Sequence, residues 1–237
     1  MNQESRVVLI TGGNRGIGLA MSRAFQQEGY QVFITSRSGE PVPGCIVIQA
    51  DLNEADRAAQ VIDQVENMAG RIDVLVANAG ISKEILLVRY SDEEILDVIN
   101  TNLVANIKLA RRTAKSMMKA RSGSIIFMGS VLGMTGAPGS TVYAASKAAL
   151  IGLSRSLARE IGSRGITVNV LAPGYVQTEM TDSLPEVFKD KVIADTALGR
   201  IATPSDIAGV AVFLASAEAR FITGAVIPVD GGLGMGH

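Results

Sequence analysis

Arg6-Val-Val-Leu-Ile-Thr11-Gly12-Gly13-Asn14-Arg15-Gly16-Ile17-Gly18 decides how this chain folds. Its first half is an unbroken apolar run, the pattern of a strand buried on both faces of a parallel sheet. Its second half is a glycine-rich turn. The next stretch, Leu19-Ala-Met-Ser-Arg-Ala-Phe-Gln-Gln-Glu28, has a helical pattern and stops at Gly29. Strand, glycine turn and helix in this order make a phosphate-binding start. Glycine lets the backbone turn tightly and approach a ligand closely, and the helix N-terminus attracts a pyrophosphate. The spacing is Gly-x-x-x-Gly-x-Gly rather than Gly-x-Gly-x-x-Gly. The turn therefore points to a nucleotide through its place between strand and helix.

Working outward, apolar strands and helical patterns alternate to the end of the chain. Tyr30–Thr35 reads as a second strand and Cys45–Ala50 as a third, ending at Asp51. Glu54–Met68 is helical, with Ala58, Val61, Ile62 and Val65 on one face. Ile72–Ala77 is the fourth strand, followed by Asn78-Ala79-Gly80. Ser91–Ile99 is helical, and Ser91 with Glu94 fits a capping box. A further helix covers Leu103 to about Lys119. The fifth strand, Ser124-Ile-Ile-Phe-Met-Gly129, ends at Ser130, and the helix of Tyr143 runs to about Ser163. Ile166–Leu171 is the sixth strand, broken by Pro173-Gly174, and a long polar stretch is expected from there to Arg200. Pro204–Ala215 is helical and Ala225–Val229 is the last strand. Such alternation predicts an α/β fold, a doubly wound parallel sheet with helices on both faces. No linker, repeat or low-complexity tract divides the chain, so 1–237 reads as a single domain.

Composition narrows the function. A formal net charge of -1 lacks the basic field of a general nucleic-acid binder. Cys45 is the only cysteine, which rules out a disulfide within the chain and fits a reducing, cytoplasmic setting. No signal peptide is read at the start, and no apolar run approaches the ~20 residues that span a bilayer. His237 is the only histidine and the last residue, so histidine catalysis and a histidine-bound metal are not expected. The expected metal set is empty.

Chemistry concentrates in Ser130-Val-Leu-Gly-Met-Thr-Gly-Ala-Pro-Gly-Ser-Thr-Val-Tyr143-Ala-Ala-Ser-Lys147. The segment after Tyr143 is alanine-rich and strongly helix-forming. Spaced i and i+4, Tyr143 and Lys147 share one helix face. A free tyrosine titrates near ~10 and handles protons poorly at neutral pH. A fixed positive charge beside it is expected to lower that pKa. Ser130, at the mouth of the fifth strand, can donate a hydrogen bond to a substrate carbonyl. Alone, the pair also fits a half-buried aromatic beside a solvated lysine. It gains its meaning from the glycine turn at the N-terminus.

Taken together, the motifs resemble the short-chain dehydrogenase/reductase family over essentially the full length. They are Thr11-Gly-x-x-x-Gly-x-Gly18, Asp51, Asn78-Ala79-Gly80, Asn102, Ser130, Tyr143-x-x-x-Lys147 and Pro173-Gly174, in family order and spacing. Within that family the chain is most similar to bacterial 3-oxoacyl-acyl-carrier-protein reductases. Gly-Asn-Arg-Gly-Ile-Gly, Arg-Gly-Ile-Thr-Val-Asn-Val-Leu-Ala-Pro-Gly-Tyr, Gln-Thr-Glu-Met-Thr and Phe-Ile-Thr-Gly-Ala-Val-Ile-Pro-Val-Asp-Gly-Gly carry that likeness. The ending Gly231-Gly-Leu-Gly-Met-Gly-His237 is similar to the actinobacterial, mycolic-acid-type branch. That branch's aromatic residue in the loop after Ser130 is absent here.

The resemblance implies a Rossmann-type sheet of seven strands in the order 3-2-1-4-5-6-7 and a homotetramer. It implies that Tyr143 is the general acid for ketone reduction and that Lys147 lowers its pKa and holds the nicotinamide ribose. Ser130 would position the carbonyl oxygen, and Asn102 would support a water in the proton relay. Hydride would come from NADPH. The cofactor-binding residues it implies are Gly12, Asn14, Arg15, Gly16, Ile17, Gly18, Arg37, Asp51, Leu52, Asn78, Ala79, Gly80, Tyr143, Lys147, Pro173, Gly174, Val176 and Thr178.

Cofactor choice is also legible directly. NAD-preferring folds place Asp or Glu at the end of the second strand, to bind the ribose 2′-hydroxyl. Here that place reads Thr35-Ser36-Arg37. Arg15 and Arg37 suit a 2′-phosphate, because guanidinium makes forked, charge-assisted bonds to it. Asp51 is assigned to the adenine. Two further expectations concern the substrate. The stretch from Thr178 to Val192 is expected to be a lid. Arg121 and Arg164 match the positions at which such reductases dock an acidic acyl carrier protein. The competing functional readings are a carbonyl reductase or alcohol dehydrogenase for another ketone, and a catalytically silent NADP-binding regulator. The complete Asn102, Ser130, Tyr143 and Lys147 set speaks against the silent one.

Overall fold

The computed structural model describes residues 5–178 and 186–235. Seven strands form one parallel sheet: β1 (Val7–Thr11), β2 (Gln31–Ser36), β3 (Cys45–Gln49), β4 (Val74–Ala77), β5 (Gly123–Met128), β6 (Ile166–Pro173) and β7 (Val226–Val229). Their order is β3-β2-β1-β4-β5-β6-β7, as the family resemblance implied. The chain starts in the centre, winds outward through β2 and β3, then returns to build the other half from β4. Loops leaving β1 and β4 diverge at that reversal, which is where open α/β sheets bind ligands.

The continuous apolar runs are explained by layers on both faces of the sheet. In β1, Val7 and Leu9 face one core, while Val8 and Ile10 face the other. The first core is closed by α2 (Arg57–Ala69), α4 (Ala105–Ala120) and α6 (Thr141–Ile161), through Val61, Leu109 and Leu150 among others. The second is closed by α1 (Gly16–Gln27) and, near the end of the chain, by the helix Pro204–Ala215, through Met21, Phe25, Ile207 and Leu214. A strand buried on both faces has no use for polar alternation.

Helix α3 (Asp92–Ile99) begins with the capping box read in the sequence: Glu94 N donates to Ser91 Oγ and Ser91 N to Glu94 Oε2. Three differences from expectation bear on the site. Helix α1 starts at Gly16, not Leu19, so the last glycines of the turn form its first turn. Between α3 and α4 the chain makes a π turn, Asn100–Val104, so α4 proper begins at Ala105 instead of Leu103. The expected polar stretch after Pro173 contains a helix, α7 (Glu186–Asp195), before α8 (Pro204–Ala215). In α7, Val192 is the buried anchor, Val187 is exposed, and Lys189 pairs with Glu186 one turn away. Of the expected lid, 179–185 lies outside the described residues, as do 236 and His237. Among the described residues, no helix is long and apolar enough to cross a membrane.

Candidate active site

The glycine turn is built by sterics. Gly12 has φ +63, a left-handed conformation that L side chains rarely adopt. A side chain at Gly18 would come within 2.1 Å of the Gly12 carbonyl oxygen, so only glycine lets α1 start this close to β1. The turn is tied to the end of β2: Gly12 N donates to Thr35 Oγ1 and Gly13 N to the Thr35 carbonyl. On its other side, Thr11 Oγ1 accepts from the backbone N–H groups of Asn78 and Ala79, both at 2.9 Å. Asn78 Nδ2 returns donations to the carbonyls of Thr11 and Gly12. Thr11 and Thr35 were not among the expected site residues. Their signal was present, a hydroxyl at the last position of β1 and at the next to last of β2, both buried strands.

The first turn of α1 suits an anion. Its N-cap, Arg15, makes no side-chain cap, and no acidic residue lies in the first turn. The leading N–H groups and the positive end of the helix therefore face the turn unopposed. Ile17 lies in that first turn and Asn14 is half-buried just before it. Arg15 is exposed, as is Arg37 immediately beyond β2, and the Gly13–Thr35 bond makes their two backbones neighbours. No carboxylate occupies the end of β2; Ser36 Oγ bonds Ser38 Oγ there. Asp51 and the buried Leu52 follow β3, where Asp51 Oδ1 accepts from Asn53 N. Gly174 follows β6, Val176 bridges Ala202, and the Thr178 methyl stands 3.5 Å from where a side chain at Gly16 would begin. The segment after β6 thus folds back onto the glycine turn.

Asn102, Ser130, Tyr143 and Lys147 meet at the same sheet edge. Helix α6 carries Tyr143 and Lys147 on one face, with the ammonium 5.6 Å from the phenol ring centroid. Ser130 lies two residues past β5, with its hydroxyl beside the Tyr143 phenol. Short helix α5 (Leu132–Thr135) can lie against α6 because a side chain at Gly133 would stand 2.9 Å from the Ala148 nitrogen. Asn102 is fully buried: Oδ1 accepts from Ile81 N, and Nδ2 donates to the Ile81 carbonyl and to Ser146 Oγ. Ser146 in turn donates to the Tyr143 carbonyl at 2.6 Å. A side chain at Gly80 would reach 3.1 Å from Asn102 Oδ1 and 3.3 Å from Lys147 Nζ, so Asn78-Ala79-Gly80 abuts this group directly.

The electrostatics differ from expectation in one respect. Lys147 was expected to lower the Tyr143 pKa. Instead, burial pushes the phenol above its ordinary value; the nearby Ser130 hydroxyl opposes this, and Tyr175 adds to it. Lys147 is itself pushed down to about 8 by burial. Its ammonium donates to the Met128 carbonyl at 2.8 Å and pairs with no carboxylate among the described residues. A buried cation without a counter-charge loses more to desolvation than it lends to its neighbour.

Other expected residues lie elsewhere. Arg121 and Arg164 sit at the opposite end of the sheet, and Arg121 Nη2 reaches the Ser163 carbonyl. Both border a groove of about 720 Å³ between α4 and α6. Ala110, Ala114, Leu153 and Leu157 make its apolar lining, while Arg111, Lys115 and Lys119 add positive charge. On the near side, Phe188 of α7 packs edge-on against Tyr175, ring centroids 5.4 Å apart.

A dinucleotide cradle sharing one sheet edge with a tyrosine–lysine pair defines a nicotinamide-dependent oxidoreductase. The chain belongs to the short-chain dehydrogenase/reductase family: a family model described as enoyl-(acyl carrier protein) reductase matches residues 12–234. Its similar relatives are more specific. It is 45% identical over 233 residues to a 3-oxoacyl-(acyl-carrier-protein) reductase MabA of Mycobacterium avium, covering 98% of this chain and 91% of that one. It is 41% identical over 243 residues to a 3-oxoacyl-(acyl-carrier-protein) reductase FabG of Escherichia coli, covering 99% of this chain and 100% of the relative. A FabG of Haemophilus influenzae is 41% identical over 238 residues, 97% of this chain and 98% of its own.

Proposed function

We propose that this protein uses NADPH to reduce 3-oxoacyl thioesters, presented on an acyl carrier protein, to 3-hydroxyacyl thioesters in fatty acid biosynthesis. The observation that carries the reading is the meeting of Ser130, Tyr143, Lys147 and Asn102 beside the glycine cradle. The near-full-length likeness to 3-oxoacyl reductases supports the substrate class.

NADPH supplies the hydride when bound. The glycine turn and the uncapped N-terminus of α1 hold its pyrophosphate, Arg15 and Arg37 its 2′-phosphate, and Asp51 with Leu52 its adenine. Asn78, Ala79, Gly80, Pro173, Gly174, Val176 and Thr178 line the rest of the cofactor. Ser130 donates a hydrogen bond to the substrate carbonyl oxygen and fixes it near the phenol. Tyr143, kept protonated by burial, delivers its proton to that oxygen as the carbonyl carbon accepts hydride. A C=O bond thereby becomes CH–OH, and the phenolate left behind is stabilised by Lys147 while a proton returns. Lys147 also holds the nicotinamide ribose, and Asn102 supports the water that closes the relay.

The chain acts as one domain in the cytoplasm and as a homotetramer. The groove between α4 and α6 supports the assembly, because an apolar lining of this kind is what a second copy covers. Arg121 and Arg164 at its margin dock the acidic carrier. The deciding assay follows NADPH oxidation by the purified protein with acetoacetyl thioester, against a panel of unrelated ketones. Turnover of the thioester well above the panel is expected; preference for another ketone overturns the substrate assignment.

A further inference from the structure

The π turn that carries Asn102 is followed, one residue into α4, by a polar group that neither the family motifs nor the proposed mechanism uses. Asn106 lies at the start of α4, 1% exposed. Its Nδ2 donates to the Asn102 backbone carbonyl at 2.7 Å, and its Oδ1 has no hydrogen-bond partner among the described residues. The opposite amide orientation would set two acceptor oxygens against each other, so the nitrogen faces the carbonyl.

Asn106 is a poor choice on stability grounds alone. Asparagine is a weak helix former, and an unpaired buried acceptor is unfavourable. Such local penalties concentrate at functional sites, and so do π turns. Both hydrogens of the Asn102 amide are taken up by the Ile81 carbonyl and Ser146 Oγ, and its oxygen accepts from Ile81 N. Its backbone carbonyl is a further acceptor that Asn102 offers beyond those contacts. That carbonyl is the atom Asn106 grips.

We propose that Asn106 is a positioning residue: its amide fixes the Asn102 carbonyl and the π turn in the geometry the reduction requires. The proposal rests on the reductase reading above.

Two variants of similar size separate the donor from the volume. Asn106→Ala removes the donor. Asn106→Ser restores one, since a helical serine hydroxyl can donate to the carbonyl four residues back. Both are compared with wild type for kcat and KM on acetoacetyl thioester and NADPH, for the pH profile of kcat, and for thermal midpoint. In Asn106→Ala, kcat is expected to fall roughly 10-fold to 100-fold, the scale of a small misplacement in an active site. Its KM for NADPH stays near wild type, its pH profile shifts, and its midpoint is unchanged or higher. Asn106→Ser regains most of the lost kcat. Wild-type kcat in a folded Asn106→Ala, or equal losses in both variants, overturns the proposal. A kcat loss matched by a lower folded fraction does the same. A wild type inactive on the thioester defeats the reductase reading, and this proposal with it; an active wild type with an indifferent Asn106→Ala defeats this proposal alone.

Discussion

The Lys147 ammonium stands 5.6 Å from the Tyr143 ring centroid and donates to the Met128 carbonyl at 2.8 Å. A single lysine thus touches the end of β5 and faces the phenol one helical turn away. Burial lowers its pKa to about 8, so its charge is conditional on what lies beside it. This relationship sets the pH behaviour of the site. The charged form dominates below about 8, and the neutral form above. A bound anionic cofactor favours the charged form. NADPH affinity is therefore expected to be greatest below that pH and to weaken as pH rises through it, by at most about tenfold per pH unit. Lys147→Met should bind more weakly and show a flatter dependence. Calorimetric titrations across this range check both; an affinity that strengthens with pH contradicts the charge assignment. Because the folded pKa lies below the unfolded one, Lys147 also makes the cofactor-free protein more stable as pH rises from about 8 toward ~10.4.

Tyr143→Phe keeps the ring and removes the proton. General acid catalysis is worth about 10²- to 10⁴-fold, so kcat should fall by that order while NADPH still binds. Single-turnover hydride transfer with pre-bound NADPH separates the two effects. Near-normal transfer in the variant would remove Tyr143 from the mechanism.

No acidic residue occupies the end of β2 before Arg37, and the Gly13–Thr35 bond keeps the Arg15 turn close by. Wild type should prefer NADPH to NADH in kcat/KM. Arg37→Ala should lose that preference by roughly the ten- to hundredfold that charge-assisted phosphate bonds of about 1.5–3 kcal/mol contribute. NADH rates should hardly change. A wild-type preference for NADH refutes the assignment.

Arg121 and Arg164 lie far from Tyr143 at the other end of their elements. Rim charges mainly tune encounter and salt dependence. Arg121→Glu combined with Arg164→Glu should raise KM for a carrier-linked substrate and leave kcat on a coenzyme A-linked analogue nearly unchanged. Equal losses on both substrates would indicate damage to the fold; no loss on the carrier substrate would end the docking assignment.

The sequence by itself determined the architecture. Strands buried on both faces leave uninterrupted apolar runs, and parallel pairing demands helical crossovers, so both are written locally. Glycines at Gly12 and Gly18 are equally legible, because their need is steric and lies within the same turn. Tyr143 and Lys147 were legible because helical spacing fixes which residues share a face. Tertiary structure decided the rest. The π turn at Asn100–Val104 arises where Asn102 must reach Ile81 and Ser146, contacts 21 and 44 residues apart in the chain. The Thr11 bonds to Asn78 and Ala79 join positions 67 and 68 residues apart, so no local pattern announces them. The Lys147 pKa likewise depends on desolvation by the assembled core, and burial is a property of the whole packing. The i, i+4 spacing specified which groups would be neighbours; only the fold determined that burial would act more strongly than their proximity.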